Sequence, residues 1–125
     1  MCHMIIGYDI NAFQPFLDWK KDKPNVQFIN SDAYNAGVAN MTTNGIDIFI
    51  DDGPHDLRFQ KRAIDLYLPK MKSGGLFVIE DVQSEEDLVE LLHHVPDTYK
   101  ENTKVYDLRK VKDRYDDLIV AIEVP

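Results

Sequence analysis

The chain has 125 residues, of which 44% are hydrophobic and 29% charged, and its 22 Asp and Glu outnumber its 14 Lys and Arg to give a formal charge of −8. This acidic balance argues against a general nucleic-acid binder, which needs a basic surface, and against docking on an anionic membrane. A single cysteine excludes a disulfide framework and a cysteine-based zinc finger. No apolar run approaches the roughly 20 residues of a membrane span, and no signal peptide is recognised at the start, so a cytoplasmic protein is expected.

The first third of the chain predicts two strand–helix pairs. Apolar runs indicate strands at Met4–Tyr8 and Val26–Ile29, and the first of these ends at Asp9. Helical spacing of apolar residues predicts a helix over Ala12–Lys20, and a second, shorter helix is predicted over Ala33–Met41.

The remainder predicts strands and helices in alternation, followed by two strands in succession. The predicted strands are Ile46–Ile50, Leu76–Ile79, Thr103–Leu108 and Leu118–Val124. Leu57–Leu68 has the periodicity of a helix that Pro69 and the Ser73-Gly74-Gly75 turn bring to an end. A further helix is predicted to begin at Ser84 as its N-cap and to stop before Pro96.

The element order β-α-β-α-β-α-β-α-β-β predicts a Rossmann-like α/β fold with a mostly parallel sheet. The last connection is too short for a parallel crossover, so the C-terminal strand is expected to be antiparallel. No internal repeat or linker is evident, which predicts a single domain over residues 1–125. Because Met4–Tyr8 and Ile46–Ile50 are almost wholly apolar, both are expected to be buried on both faces.

Acidic residues follow nearly every predicted parallel strand. They are Asp9, Asp32, Asp51-Asp52 and Glu80-Asp81. Wet loops are often acidic, but in open α/β sheets ligands bind at the carboxyl ends of the strands, and a repeated acid there favours a functional role. Carboxylates at neighbouring strand ends suit Mg²⁺. His55, on the loop that follows Asp52, is a candidate general base.

The stretch Ile46–Gln83 carries a recognisable motif. It contains Asp51-Asp52-Gly53-Pro54-His55, Gln60, Leu68-Pro69, Gly74-Gly75 and Glu80-Asp81. This pattern resembles the metal-dependent class I S-adenosylmethionine methyltransferases of the macrolide-sugar O-methyltransferase type, and cephalosporin-hydroxylase-like proteins share it. The segment Tyr106–Lys110 and the segment Arg114–Glu123 are similar to the last two strands of that family, so the resemblance covers essentially the whole chain.

The resemblance implies a role for individual residues. Asp52, Glu80 and Asp81 match the family's metal ligands, and His55 matches its proposed base. Asp9 matches the acid that holds the ribose hydroxyls of the cofactor, and Asp32 matches the side chain near its adenine. Together with Asp51, these two are the predicted cofactor-binding residues. Pro54 stands where the family usually has Ser, which should stiffen the loop without removing a ligand.

The chain also departs from the family pattern, because it has no Gly-x-Gly-x-Gly turn and its first strand corresponds to the family's second. The family's first strand lies in the middle of the sheet, so its absence would leave unpaired backbone groups. We expect either direct pairing of Met4–Tyr8 with Ile46–Ile50 or an added strand, supplied by a complementing N-terminal segment or by a homo-oligomer. The chain could equally be cut from a longer protein.

Two functions follow as expectations. The first is transfer of a methyl group from S-adenosylmethionine, with Mg²⁺ or Mn²⁺, to a hydroxyl of a sugar or another small molecule, with no nucleic-acid or membrane partner. The alternative is a methyltransferase-like module without catalysis, acting in regulation or interaction. A phosphoacceptor receiver domain also gathers acids at strand ends, but it requires a lysine at a late strand end where this chain has Glu80-Asp81.

Overall fold

The computed structural model describes residues 3–125. The chain divides into two compact units, Met1–Thr42 and Thr43–Pro125, and each has its own sheet. The two are described separately below.

The first unit is a pair of parallel strands with two short helices. Its elements are β1 (Ile5–Asp9), α1 (Gln14–Lys20), β2 (Val26–Asn30) and α2 (Ala36–Met41). In the parallel register Asp9 lies opposite Asn30, so the carboxyl ends of the two strands meet at one edge. The Asn35 side chain caps α2 by accepting hydrogen bonds from the backbone N–H groups of Gly37 and Val38.

The second unit contains the remaining strands and helices. They are β3 (Ile46–Asp51), α3 (Leu57–Tyr67), a 3₁₀ helix (Leu68–Lys70), β4 (Met71–Val82), α4 (Glu85–His94), α5 (Asp97–Lys100), β5 (Thr103–Asp107), α6 (Arg109–Lys112) and β6 (Leu118–Glu123). The predicted N-cap of α4 is confirmed, because the Ser84 side chain accepts a hydrogen bond from the Asp87 N–H. The short helices α5 and α6 were not predicted, since one turn is too short to show periodicity.

The four-stranded sheet has the order β3-β4-β6-β5. Strands β3 and β4 run parallel, and β6 is antiparallel to both of its neighbours. The expected α/β fold with an antiparallel C-terminal strand is therefore confirmed.

The core of this unit lies on one face of the sheet. Phe49 of β3 stacks on Tyr67 of α3 at 4.7 Å between ring centroids, and on Phe77 of β4 at 4.6 Å. On the opposite face, residues Ile48 and Ile50 are 63% and 58% exposed. The expectation that Ile46–Ile50 is buried on both faces is wrong. An apolar run shows that a strand favours burial, but it does not show whether helices cover both faces of the sheet.

The expected direct pairing of the first and third strands is also wrong. In the described part of the chain, β1 pairs with β2 in a two-stranded sheet, whereas β3 pairs with β4 in the four-stranded one. The β1–β2 pairing is local in sequence, so its chain-closure cost is small.

Strand β4 begins earlier than predicted, at Met71, and crosses the Gly74-Gly75 pair. Gly74 has φ +78°, which a glycine adopts without strain. A Cβ on Gly75 would lie 2.9 Å from the Lys72 carbonyl oxygen and 3.1 Å from the Asp47 carbonyl oxygen. The two glycines therefore let β4 pass close to the backbone of β3, and the strand continues through them.

No helix among residues 3–125 has the length and apolar character needed to cross a bilayer.

Candidate functional site

The parallel pairing of β3 and β4 brings two acidic strand ends together. Asp51 is the last residue of β3 and is buried at 6% exposure, whereas Asp52 follows it into an exposed loop. Residue Ile79 of β4 lies opposite Asp51, so Glu80 and Asp81 come immediately beyond that pair at the same edge of the sheet.

His55 lies on the loop that joins β3 to α3. Its backbone φ is +59°, a left-handed conformation that is unusual for a residue with a side chain. The next residue, Asp56, caps α3 by accepting a hydrogen bond from the Arg58 N–H. The His55 Nε2 lies 3.3 Å from Asp52 Oδ1 and 3.5 Å from Asp81 Oδ2.

Asp81 reaches this group because β4 contains a bulge. Ile79 pairs with Val120 and Val82 pairs with Leu118, so two residues of β4 oppose one residue of β6. Asp81, one of these two residues, has a left-handed backbone with φ +52° that accommodates the bulge. A bulge changes the direction in which a side chain points, and bulges are frequent beside functional sites. The Asp81 side chain is only 14% exposed.

Glu80 lies beside this group without belonging to it. The cluster of ligand atoms consists of Asp52, His55 and Asp81, whose atoms all lie within 4.8 Å of one another. The Glu80 backbone carbonyl accepts a hydrogen bond of 3.2 Å from the Gln60 side-chain amide, and Gln60 is itself buried at 2% exposure. Gln60, part of the sequence motif but assigned no role there, therefore anchors the backbone next to the bulge.

The donor chemistry of the cluster fits a hard divalent cation. Carboxylate oxygens suit Mg²⁺ and Mn²⁺, which keep several water ligands, and an imidazole nitrogen is accepted more readily by softer metals. Asp52 and Asp81 are therefore the better ligands for such a cation, and His55 lies beside them.

Two further residues join the cluster that the sequence reasoning missed. Arg114 Nη2 lies 3.2 Å from Asp81 Oδ2, and its Nε lies 3.2 Å from Asp116 Oδ1. The hydrogen bond from Arg114 lowers the pKa of the Asp116 carboxyl. The same hydrogen bond, followed by the charges of Asp116 and Asp81, raises the pKa of Arg114. The Arg114–Glu123 motif was noted, but only the fold places these side chains at the bulge.

The predicted cofactor residues of the first unit lie at the carboxyl ends of its two strands. Asp9 and Asp32 are exposed, and each accepts a backbone hydrogen bond from the residue two positions later, Asn11 at 2.7 Å and Tyr34 at 2.9 Å. The third predicted residue, Asp51, belongs to the second unit.

The comparisons with solved structures identify similar folds. The MycE methyltransferase of the mycinamycin biosynthetic pathway, in complex with Mg, SAH and mycinamycin VI, aligns with a TM-score of 0.61 and 19% identity over 96% of this chain. An rRNA methylase from Streptococcus thermophilus aligns with a TM-score of 0.61 and 16% identity over 97% of this chain. Fibrillarin from Aeropyrum pernix, with bound S-adenosyl-L-methionine, aligns with a TM-score of 0.62 and 15% identity over 95% of this chain. No family model and no curated protein matches the sequence.

The chain thus has the fold of S-adenosylmethionine-dependent methyltransferases. It spans 36% of the MycE chain, 73% of the rRNA methylase and 55% of the fibrillarin.

The left-handed backbone at Asp81 generates a stability prediction. An Asp81→Gly variant should be more stable than Asp81→Ala by about 1 kcal/mol, because glycine tolerates the positive φ that a Cβ disfavours. Both variants lose the same carboxylate, so only the backbone preference differs. Urea unfolding followed by circular dichroism measures the difference.

The matched control is Asp65, which lies within α3. Here the order should reverse, with Asp65→Ala more stable than Asp65→Gly by about 1 kcal/mol. An Asp81→Ala variant as stable as Asp81→Gly would contradict the backbone assignment.

Proposed function

We propose that the protein is a metal-dependent O-methyltransferase that transfers a methyl group from S-adenosylmethionine to a hydroxyl of a sugar or another small molecule. The observation that carries the proposal is the Asp52–His55–Asp81 cluster, which lies at the carboxyl end of a methyltransferase-like sheet. The fold supports the cofactor class, and MycE, one of the similar structures, holds both Mg and SAH.

The metal would be held by carboxylates. Asp52 and Asp81 offer ligand oxygens within 4.8 Å of each other, and the predicted third ligand, Glu80, directly precedes Asp81 in β4. A divalent cation bound there would lower the pKa of an acceptor hydroxyl beside it. The half-buried position of Asp81 strengthens its attraction for a cation, since the local dielectric constant is lower than that of water.

His55 would act as the general base. Its Nε2 faces the space beside the two carboxylates and lies within 3.5 Å of each, so a hydroxyl held there is within reach of the ring. S-adenosylmethionine supplies an electrophilic methyl group. His55 would accept the proton of the acceptor hydroxyl, and the bound cofactor would supply the methyl group to that oxygen and leave as S-adenosylhomocysteine. The left-handed backbone of His55 is a strained conformation of the kind found at functional sites.

The remaining acids would bind the cofactor. Asp9 ends β1 with an exposed carboxylate that would accept from the ribose hydroxyls, and Asp32, exposed after β2, would accept from the adenine amino group. Asp51, at the end of β3, is the third residue of this proposed set.

The alternative is a non-catalytic module, and the feature that favours it is the lack of a Gly-x-Gly-x-Gly turn in the sequence. Calorimetric titration with S-adenosylhomocysteine separates the two functions. Saturable binding supports the enzyme, and no binding at millimolar concentration supports the module.

Metal binding gives the first prediction of the proposal. Mg²⁺ or Mn²⁺ should raise the melting temperature by several degrees, because the cation binds the folded cluster and relieves repulsion between its carboxylates. Asp81→Asn should abolish most of this shift. The control is Asp97→Asn, which removes an exposed carboxylate of α5 that is paired with Lys100, and it should keep the shift. An Asp81→Asn variant with the full metal-induced shift would refute the assignment.

The base gives the second prediction. His55→Ala should reduce turnover by roughly 10²- to 10⁴-fold, which is the usual contribution of general base catalysis. Transfer of labelled methyl from S-adenosylmethionine to monosaccharides, and to the mycinamycin VI that MycE holds, measures it. His94→Ala, which removes another half-buried histidine paired with Asp65, is the control. Unchanged turnover in His55→Ala would show that His55 is not the general base.

The open edge of β3 supports a proposal about partners. Within residues 3–125, β3 has a single paired neighbour, β4, and the side chains of Ile48 and Ile50 are mostly exposed. An uncovered apolar strand at a sheet edge is a template for another strand. We therefore propose that a strand from a second copy, or from a complementing N-terminal segment, adds here.

Sedimentation velocity tests this proposal. The chain alone should sediment as a dimer or larger species, and Ile48→Lys should shift it toward the monomer, because a lysine on the edge opposes strand addition. Val111→Lys, which places the same charge at another exposed apolar position, should leave the assembly unchanged. A wild-type chain that is monomeric and fully active would contradict both forms of strand addition.

A further inference from the structure

Arg114 lies at an unusual position for a cation, since it contacts an acid of the proposed metal site. The residue belongs to the connection between α6 and β6, where Asp113 ends α6 in a left-handed conformation with φ +53°. Pairing of Leu118 with Val82 then brings this connection alongside the end of β4. The Tyr115 hydroxyl adds a hydrogen bond of 3.2 Å to the Gln83 side chain.

The guanidinium group bridges two carboxylates that have little access to water. Its Nη2 contacts Asp81 and its Nε contacts Asp116, both at 3.2 Å, and these acidic side chains are only 14% and 12% exposed. A carboxylate withdrawn from water requires a compensating charge or hydrogen bonds. Arg114 supplies that compensation from a side chain that is itself 47% exposed and therefore has room to move.

The bridged oxygen of Asp81 also faces the metal cluster. Asp81 Oδ2 lies 3.5 Å from His55 Nε2 and is also the atom that Arg114 contacts. A divalent cation bound to this carboxylate would therefore be close to the positive charge of Arg114, which opposes its binding.

We propose that Arg114 is an internal counter-ion that competes with the divalent cation for Asp81 and is displaced toward Asp116 when the cation binds. The inference rests on the proposed metal site. It assigns Arg114 two effects of opposite sign, since the residue stabilises the metal-free protein and weakens metal binding.

The test is a titration of the wild-type chain and Arg114→Gln with Mn²⁺ alone, followed by the paramagnetic resonance of the free ion. Arg114→Gln should bind Mn²⁺ roughly tenfold more tightly, because a unit charge a few ångströms from a divalent ion is removed at a partly exposed site. The difference should shrink as salt is raised. The control is Arg58→Gln, which removes the same charge from an exposed pair with Asp56 and should leave the dissociation constant within about twofold.

Stability provides a second readout. Without metal, Arg114→Gln should melt at a lower temperature than the wild type, and saturating Mn²⁺ should remove or reverse the difference. In an Asp81→Asn background the same substitution should have a smaller effect, because the partner charge is gone.

Each result decides between the accounts. Equal Mn²⁺ affinity in wild type and Arg114→Gln overturns the counter-ion role while leaving the metal site intact. Weaker binding by Arg114→Gln also overturns it, because Arg114 would then support Asp81 as a ligand. If only Arg114→Gln binds Mn²⁺, the counter-ion role is supported and metal use by the wild type is refuted. If neither binds, both proposals are wrong.

Discussion

The candidate site depends on one irregularity in the sheet, where Glu80 and Asp81 of β4 oppose a single residue of β6. In a regular strand, successive side chains point to opposite faces. The extra residue breaks that alternation and, with the left-handed backbone of Asp81, directs its carboxylate toward Asp52 and His55. The buried Gln60 amide, bonded to the Glu80 carbonyl, holds the backbone of this segment.

The same pairing of β4 with β6 explains why residues distant in sequence meet here. Strand β6 enters the sheet at Leu118, opposite Val82, so the preceding connection has to pass the bulge. That connection carries Arg114 and Asp116, and it completes a group in which three carboxylates face one guanidinium and one imidazole. The group concentrates charge at a place where two residues already have costly backbone conformations. Strained backbone conformations of this kind are frequent at functional sites.

Much of this arrangement was predictable from the sequence. The alternation of apolar runs and helical periods gave the element order, and the acids that follow Ile50 and Ile79 marked adjacent strand ends because parallel strands align them. The choice between Glu80 and Asp81 as members of the cluster was not predictable, since it depends on a one-residue bulge that leaves no periodic signal. Arg114 was missed for a different reason: an arginine in a charged loop acquires a role only through a contact 33 residues away in sequence.

The exposed side chains of β3 show a further limit. Ile48 and Ile50 have the composition of an interior strand, yet the sequence does not reveal which segment covers them. An apolar strand favours burial on both faces, but its composition does not show which segment, if any, covers each face.

The sparse interior of the first unit has a consequence for its dynamics. Among residues 3–42, only Val26 and Ala39 are buried apolar residues, and a two-stranded sheet with so little core is marginally stable by itself. Its amide hydrogens should therefore exchange through local unfolding that leaves the four-stranded sheet protected. A ligand held by Asp9 and Asp32 would have to offset the free energy of ordering β1 and β2. Its measured affinity would therefore include this folding cost as well as the contacts with the ligand.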